Sequence, residues 1–82
     1  MALDKKSFQA DGLANLYRAA FFLAKNNKKT SLEMLKKASQ ELKINKFSRI
    51  LNDPKAQLKT LRQQLFWAEK ILDQFHQLKR ML

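Results

Sequence analysis

The chain has 82 residues with one glycine, one proline and no cysteine, and it carries a formal net charge of +10. A chain of this length forms one domain, because a second would need its own core. The lack of cysteine excludes disulfides, thiolate nucleophiles and thiolate metal sites. Scarce Gly and Pro argue against the tight turns of an all-β fold, and abundant Leu, Lys, Ala, Gln and Glu favour helices. The composition predicts an all-α fold, a small three- to four-helix bundle with a long C-terminal helix.

Hydropathy argues against a membrane-spanning or secreted chain. The longest apolar run covers residues 19–24, far fewer than the roughly 20 residues that a membrane span requires. The N-terminal sequence MALDKKSFQADG has no apolar stretch followed by a cleavage site, as a signal peptide would. We therefore expect a soluble cytoplasmic protein.

The first helix is predicted for residues 7–25, after a flexible tail of residues 1–6. Its apolar residues recur at intervals of three and four, as in a helix with one face in a core. Further apolar residues flank this stripe, which is typical of a helix that is central in a bundle or shared with a second chain. The stripe consists of Leu13, Leu16, Tyr17, Ala20, Phe21 and Ala24, flanked by Ala19, Phe22 and Leu23. The sequence KNNKK, residues 25–29, is expected to end the helix, because Asn tolerates a left-handed conformation.

The second helix is predicted for residues 30–42, beginning at a capping box formed by Thr30 and Glu33. A short third helix, or a bent continuation of the second, is predicted for residues 44–52, where the apolar pattern changes phase. The second helix has an apolar face of Leu32, Leu35, Ala38 and Leu42, and the third has Ile44, Phe47 and Leu51, with Ile50 beside them.

A long last helix is predicted for residues 54–82, opened by Asp53 as cap and Pro54 at the first position. Its leucines follow a heptad pattern typical of a coiled coil. A helix of this length would overhang the short ones, so we expect the far end to be covered by helix one or by a second chain in a homodimer. The a and d positions are Leu58, Leu61, Leu65, Ala68, Leu72, Phe75 and Leu82, with Lys79 as the exception.

No pattern in the sequence predicts catalysis, so we expect a protein that is not an enzyme and has no cofactor, metal or small-molecule substrate. The serines lack a recognisable motif for a nucleophile, and Gly12 alone cannot form a phosphate-binding loop. Glu69, Asp73 and His76 share a helical face and could ligate a metal. Bundle metal sites need matching carboxylates from other helices, which favours a structural or solvated role for these three.

Positive charge is concentrated between residues 25 and 62, a region that contains eleven Lys and Arg but only three Asp and Glu. Such a region favours a polyanion, namely nucleic acid, an anionic membrane surface or an acidic protein, although it could also serve only as a solvated surface. Within it, QELKINKFSRIL (residues 40–51) resembles the turn and second helix of a helix-turn-helix. The resemblance implies base contacts from the second helix. The sequence departs from that pattern at Lys43, where a small residue is customary, and in its short second helix.

Two hypotheses of function follow, and peripheral membrane binding ranks behind them. The first is a dimeric nucleic-acid-binding protein, with DNA favoured over RNA. Its candidate contacts are Lys36, Lys37, Lys43, Asn45, Lys46, Ser48, Arg49, Lys59 and Arg62. The alternative is a helical adaptor or assembly subunit that binds an acidic protein partner. Its candidate interface residues are Phe21, Phe22, Phe66, Trp67, Phe75 and Leu82. Phe66 is predicted to lie on a basic face, where it could stack on a base, anchor a partner, pack under another helix or remain an isolated exposed residue.

Overall fold

The computed structural model describes residues 5–81, and within them the regular structure is entirely helical. The predicted all-α class, with a long C-terminal helix, is confirmed. The five helices are α1 (Lys5–Ala24), α2 (Lys28–Leu42), α3 (Ser48–Asn52), α4 (Pro54–Gln57) and α5 (Leu61–Met81). Helix α1 begins before the predicted residue 7, and the remainder of the predicted tail, residues 1–4, lies outside the described residues.

Helix α1 is central, since both α2 and α5 pack against it. Helices α1 and α2 form an antiparallel hairpin in which the Ser31 hydroxyl donates to the Ala19 carbonyl at 2.6 Å. At the open end of this hairpin, Asn15 donates to the Glu41 carboxylate at 2.8 Å. The core lies where α1, α2 and α5 meet the connecting segment between α2 and α5. Its buried apolar residues are Leu16, Ala19, Ala20, Leu23, Leu35, Ala38, Phe47, Ile50, Leu58, Ala68 and Ile71.

Gly12 allows α1 and the last turn of α2 to approach closely. A Cβ atom at this position would lie 2.6 Å from Leu42 Cγ and 3.3 Å from Glu41 Cβ. A glycine inside a helix costs about 1 kcal/mol relative to alanine. The contact with Leu42 explains why a small residue is required there despite that cost.

The turn between α1 and α2 follows from its two asparagines. Asn26 has a positive φ of 64°, and the amides of Asn26 and Asn27 donate to the carbonyls of Leu23 and Phe22. This arrangement is a Schellman motif, and it confirms the expectation that an asparagine would take the left-handed position. Asn27 then caps α2, because its side-chain oxygen accepts from the Thr30 amide at 3.4 Å. The predicted capping box at Thr30 is therefore wrong, and Thr30 lies within the first turn.

Helix α2 ends at a second left-handed residue, Lys43, with φ 55°. The amides of Lys43 and Ile44 both donate to the Ser39 carbonyl. The third helix begins only at Ser48, so its predicted start at residue 44 is wrong. The intervening turn directs Phe47 into the core, where it is fully buried with its ring 6.5 Å from that of Trp67. Burial of this aromatic side chain outweighs the helical propensity of the preceding residues.

The predicted continuous helix from residue 54 is wrong in its first part. Asp53 caps α4 through a bond from the Ala56 amide, and Pro54 occupies the first position, as expected. The helical conformation then ends, and the next residue, Leu58, is buried in the core. Helix α5 begins after it, at a capping box. In this box the Thr60 hydroxyl accepts from the Gln63 amide at 3.1 Å, and the Gln63 side chain accepts from the Thr60 amide at 2.9 Å.

The buried face of α5 differs from the heptad prediction. Gln64, Ala68, Ile71 and Gln74 are buried, whereas Leu61 and Leu65 at heptad positions are 60% and 46% exposed. The connecting segment packs against α5 through Phe47 and Trp67. In this orientation of α5, Leu61 and Leu65 face outward, whereas Leu72 and Leu78 pack against the core.

Helix α1 covers α5 toward its C-terminal end. The rings of Tyr17 and Phe75 lie 5.4 Å apart, and Leu78 packs against the core. The two helices have 20 and 21 residues, so each is about 30 Å long. Of the two expected ways to cover the far end of the last helix, by helix one or by a second chain, the contact with α1 provides the first at Phe75, and the homodimer stays a prediction.

Candidate nucleic-acid interface and apolar groove

All nine candidate nucleic-acid contacts are exposed to solvent, and they are distributed over four parts of the chain. Helix α2 carries Lys36 and Lys37. The turn before α3 carries Lys43, Asn45 and Lys46, and the first turn of α3 carries Ser48 and Arg49. Lys59 and Arg62 flank the start of α5. No described acidic side chain lies within the segment from Lys43 to Asn52.

The solvent face of α2 presents cations at a regular interval. Lys29 and Lys36 are exposed and seven residues apart, which corresponds to two helical turns or about 10.5 Å along the axis, and the exposed Lys43 follows directly after the end of the helix. Glu33 is the exposed acid among them. Glu41 is directed toward α1 by its hydrogen bond with Asn15, so its carboxylate is engaged within the hairpin.

Helix α3 is short for a recognition helix. Its five residues extend about 7.5 Å, and Asn45 and Lys46 lie in the turn that precedes it. Ser48 and Arg49 are the two predicted base-reading residues that the structure places on the helix. The four side chains therefore do not form one helical face of the kind that reads base edges in a major groove.

The predicted interface aromatics divide into two groups. Phe22, Trp67 and Phe75 are partly buried, and the last two pack against the core. Phe21 and Phe66 are 46% and 51% exposed. Leu82 lies outside the described residues.

An open apolar groove of about 420 Å³ runs between α1 and α5. It is lined mainly by Tyr17, Phe21 and Ala24 from α1 and by Leu65, Ala68 and Leu72 from α5. Tyr17 and Leu65 were predicted as core residues, yet they are 49% and 46% exposed. The apolar residues on more than one face of α1 predicted a helix that is central in the bundle or shared with a second chain; the structure places α1 centrally and leaves Tyr17 and Phe21 exposed on one face. We call this feature the α1–α5 groove.

Three lysines lie over aromatic rings in or beside the α1–α5 groove. The Lys25 ammonium is 5.3 Å from the centre of the Phe21 ring. Lys70 lies 5.4 Å from the Phe66 ring, and Lys79 lies 5.8 Å from the Phe75 ring. These distances are within the range of cation–π interactions, which hold the cations close to the apolar surface.

His76 packs edge-on against Phe75, with their ring centres 5.3 Å apart. Together with Asp73 it borders a shallow depression whose other residues are Gln77, Lys79 and Arg80. In residues 5–81 no three His, Asp or Glu side chains are arranged so that they could hold a metal ion. Over the same residues no helix combines the length and hydropathy needed to cross a membrane.

Comparisons with protein-family models, with curated proteins and with solved structures find no match to this chain.

Proposed function

We propose that this protein binds nucleic acid through phosphate contacts made by the solvent face of α2 and the connecting segment that follows it. The observation that supports this proposal is the exposure of all nine candidate side chains within residues 36–62. Lysine and arginine that neutralise phosphates release condensed counterions, and this release provides most of the affinity in sequence-independent binding. The net charge of +10 would also accelerate association with a polyanion.

Duplex DNA is the proposed ligand rather than single-stranded nucleic acid. Proteins that bind single strands stack the bases on exposed aromatic side chains, and residues 36–52, which carry seven of the nine candidates, expose no aromatic side chain. Exposed lysines repeated along a helix instead suit the regular phosphates of a duplex. Because α3 is short, we propose that phosphate contacts dominate and that base contacts from Ser48 and Arg49 add little sequence preference.

Fluorescence anisotropy of a labelled duplex tests the proposal. With Z phosphates contacted, the logarithm of the association constant should fall with the logarithm of salt concentration with a slope near −0.9Z between ~50 and ~200 mM salt. Replacing Lys36 and Lys37 together with Gln removes two contacts and retains residues that favour helices. We expect this double variant to reduce the magnitude of the slope by about 1.8.

The matched control replaces Lys79 and Arg80 with Gln. These residues are also exposed and also lie on a helix, so the control removes the same charge from a different part of the molecule. The slope of the control should remain close to that of the original protein. An equal loss in both double variants would indicate general polycation behaviour and would contradict an interface on α2.

A further inference from the structure

The α1–α5 groove is part of a larger exposed apolar surface. Beside it lies a second depression lined by Leu61, Arg62, Leu65, Phe66 and Glu69. Leu65 and Glu69 belong to both linings, so the two depressions are continuous. Large apolar side chains grouped in this way on a small protein mark a surface that interacts with a partner.

The charges around the groove indicate what kind of partner fits. Lys25 and Lys70 lie over Phe21 and Phe66, which line the groove and its continuation. Lys79 lies over Phe75, whose ring contacts Tyr17 in the groove lining. The apolar surface of the groove is thus bordered by three lysines that lie over aromatic rings. We propose that the α1–α5 groove binds an acidic amphipathic helix of another protein.

A helical occupant fits the shape of the site. The groove lies between two neighbouring helices, and a third helix can insert its ridge of side chains into such a space. Apolar residues at i, i+3, i+4 and i+7 would contact Tyr17, Phe21 and Leu65, as in other helix-in-groove complexes. Acidic residues flanking that stripe would meet Lys25 and Lys70. Glu69 in the lining accommodates one basic residue of the partner.

Charge argues against a second copy of this chain as the occupant. Each copy carries a formal charge of +10, and self-association through this surface would bring the lysines bordering one groove against those bordering the other. Like charges placed together at an interface cost free energy and suppress association. An acidic helix would instead neutralise the lysines and, through electrostatic attraction, associate faster.

Binding of two synthetic helical peptides to the full chain tests the proposal. Both have leucines at i, i+3, i+4 and i+7 over about 18 residues, a length of about 27 Å. One carries glutamate at the flanking positions and the other carries lysine. At low salt, we expect the Kd of the acidic peptide to be lower than that of the basic peptide by a factor of about ten or more.

Substitutions within and outside the groove locate the binding site. Phe21→Gln and Leu65→Gln should each raise the Kd of the acidic peptide about tenfold, whereas Met81→Gln should leave it unchanged. Met81 is a suitable control because it is apolar, is 79% exposed and does not line the groove. Replacing both Lys25 and Lys70 with Gln should weaken binding several-fold, and most strongly at low salt.

Three results would overturn the inference. The first is unchanged peptide affinity in Phe21→Gln and Leu65→Gln, with circular dichroism showing that both variants are folded. The second is loss of peptide binding in the double variant Lys36→Gln, Lys37→Gln, since the peptide would then use the α2 surface. The third is a concentration-dependent dimer in sedimentation equilibrium that Leu65→Gln abolishes, which would identify a second copy as the occupant. Failure of DNA binding would leave this inference unaffected, since the two tests use different residues.

Discussion

Gln64 is a polar residue in the buried face of α5, where it is 4% exposed. Its side-chain oxygen has no hydrogen-bond partner among the described residues. A buried polar atom that loses its hydrogen bond with water and gains none in the protein destabilises the folded state by about 1–3 kcal/mol. Gln64 therefore reduces stability at a position on the buried face of α5, which continues with Ala68 and Ile71 one and two turns further along the helix.

We predict that Gln64→Met stabilises the protein by about 1–2 kcal/mol, because methionine retains the length of the side chain and removes the unpaired oxygen. The free energy of unfolding from urea titration measures this change. Gln77→Met is the control, since Gln77 is exposed on the same helix and its replacement should alter stability by less than about 0.5 kcal/mol. Equal effects of the two substitutions would mean that the buried oxygen carries no penalty.

Caps determine where the helices begin, and the sequence contains two similar signals at Thr30 and Thr60. Thr60 lies before a glutamine at the third following position, and each side chain bonds to the amide of the other residue. Thr30 lies before Glu33 at the same spacing, but Asn27 has already capped the helix. The motif alone does not distinguish these two cases, because the decision depends on where the preceding turn ends.

We predict that Thr60→Ala destabilises the protein by about 1 kcal/mol, since it removes the acceptor for the Gln63 amide. Thr30→Ala should cost much less, because the Thr30 amide is bonded by Asn27 and alanine favours a helix interior. Thermal unfolding followed by circular dichroism at 222 nm compares the two. A larger loss for Thr30→Ala would show that Thr30 is the functional cap of α2.

At the scale of the whole molecule, excess positive charge opposes folding. The folded chain holds its charge of +10 within a radius of gyration of 12.5 Å. Mutual repulsion is therefore stronger than in the expanded unfolded chain. At 0.1 M salt the screening length is about 10 Å, which is comparable to this radius, so added salt should weaken the repulsion substantially.

We predict that raising NaCl from ~20 to ~200 mM stabilises the fold by about 1 kcal/mol, or about 4–8 °C in Tm. DNA affinity should respond in the opposite direction, because salt competes with phosphate contacts. Calorimetry in NaCl measures the first effect. Replacing two exposed lysines with Gln should reduce the dependence of Tm on salt concentration. An unchanged Tm across this range of NaCl would show that repulsion does not limit stability.

The sequence predicted the basic surface better than it predicted the apolar groove. Lys36, Lys37 and Arg49 were expected on the surface because charged side chains are rarely buried unless paired, and they are exposed. Leu61 and Leu65 were expected inside because they are apolar and heptad-spaced, and they are partly exposed. An apolar residue indicates only that burial would be favourable, whereas its neighbours determine whether burial occurs.

The sequence by itself determined that the protein is helical, that the first helix would end within residues 25–29 at an asparagine able to adopt a left-handed conformation, and that Asp53 and Pro54 would start a helix. These features depend on backbone preferences and on hydrogen bonds between residues close in the chain, so they can be derived locally. Only the tertiary structure decided which face of α5 is buried, where α5 begins and which face of α1 stays open. Helices α1 and α5 have apolar residues on more than one face, and contacts with distant side chains such as Phe47 select among these faces.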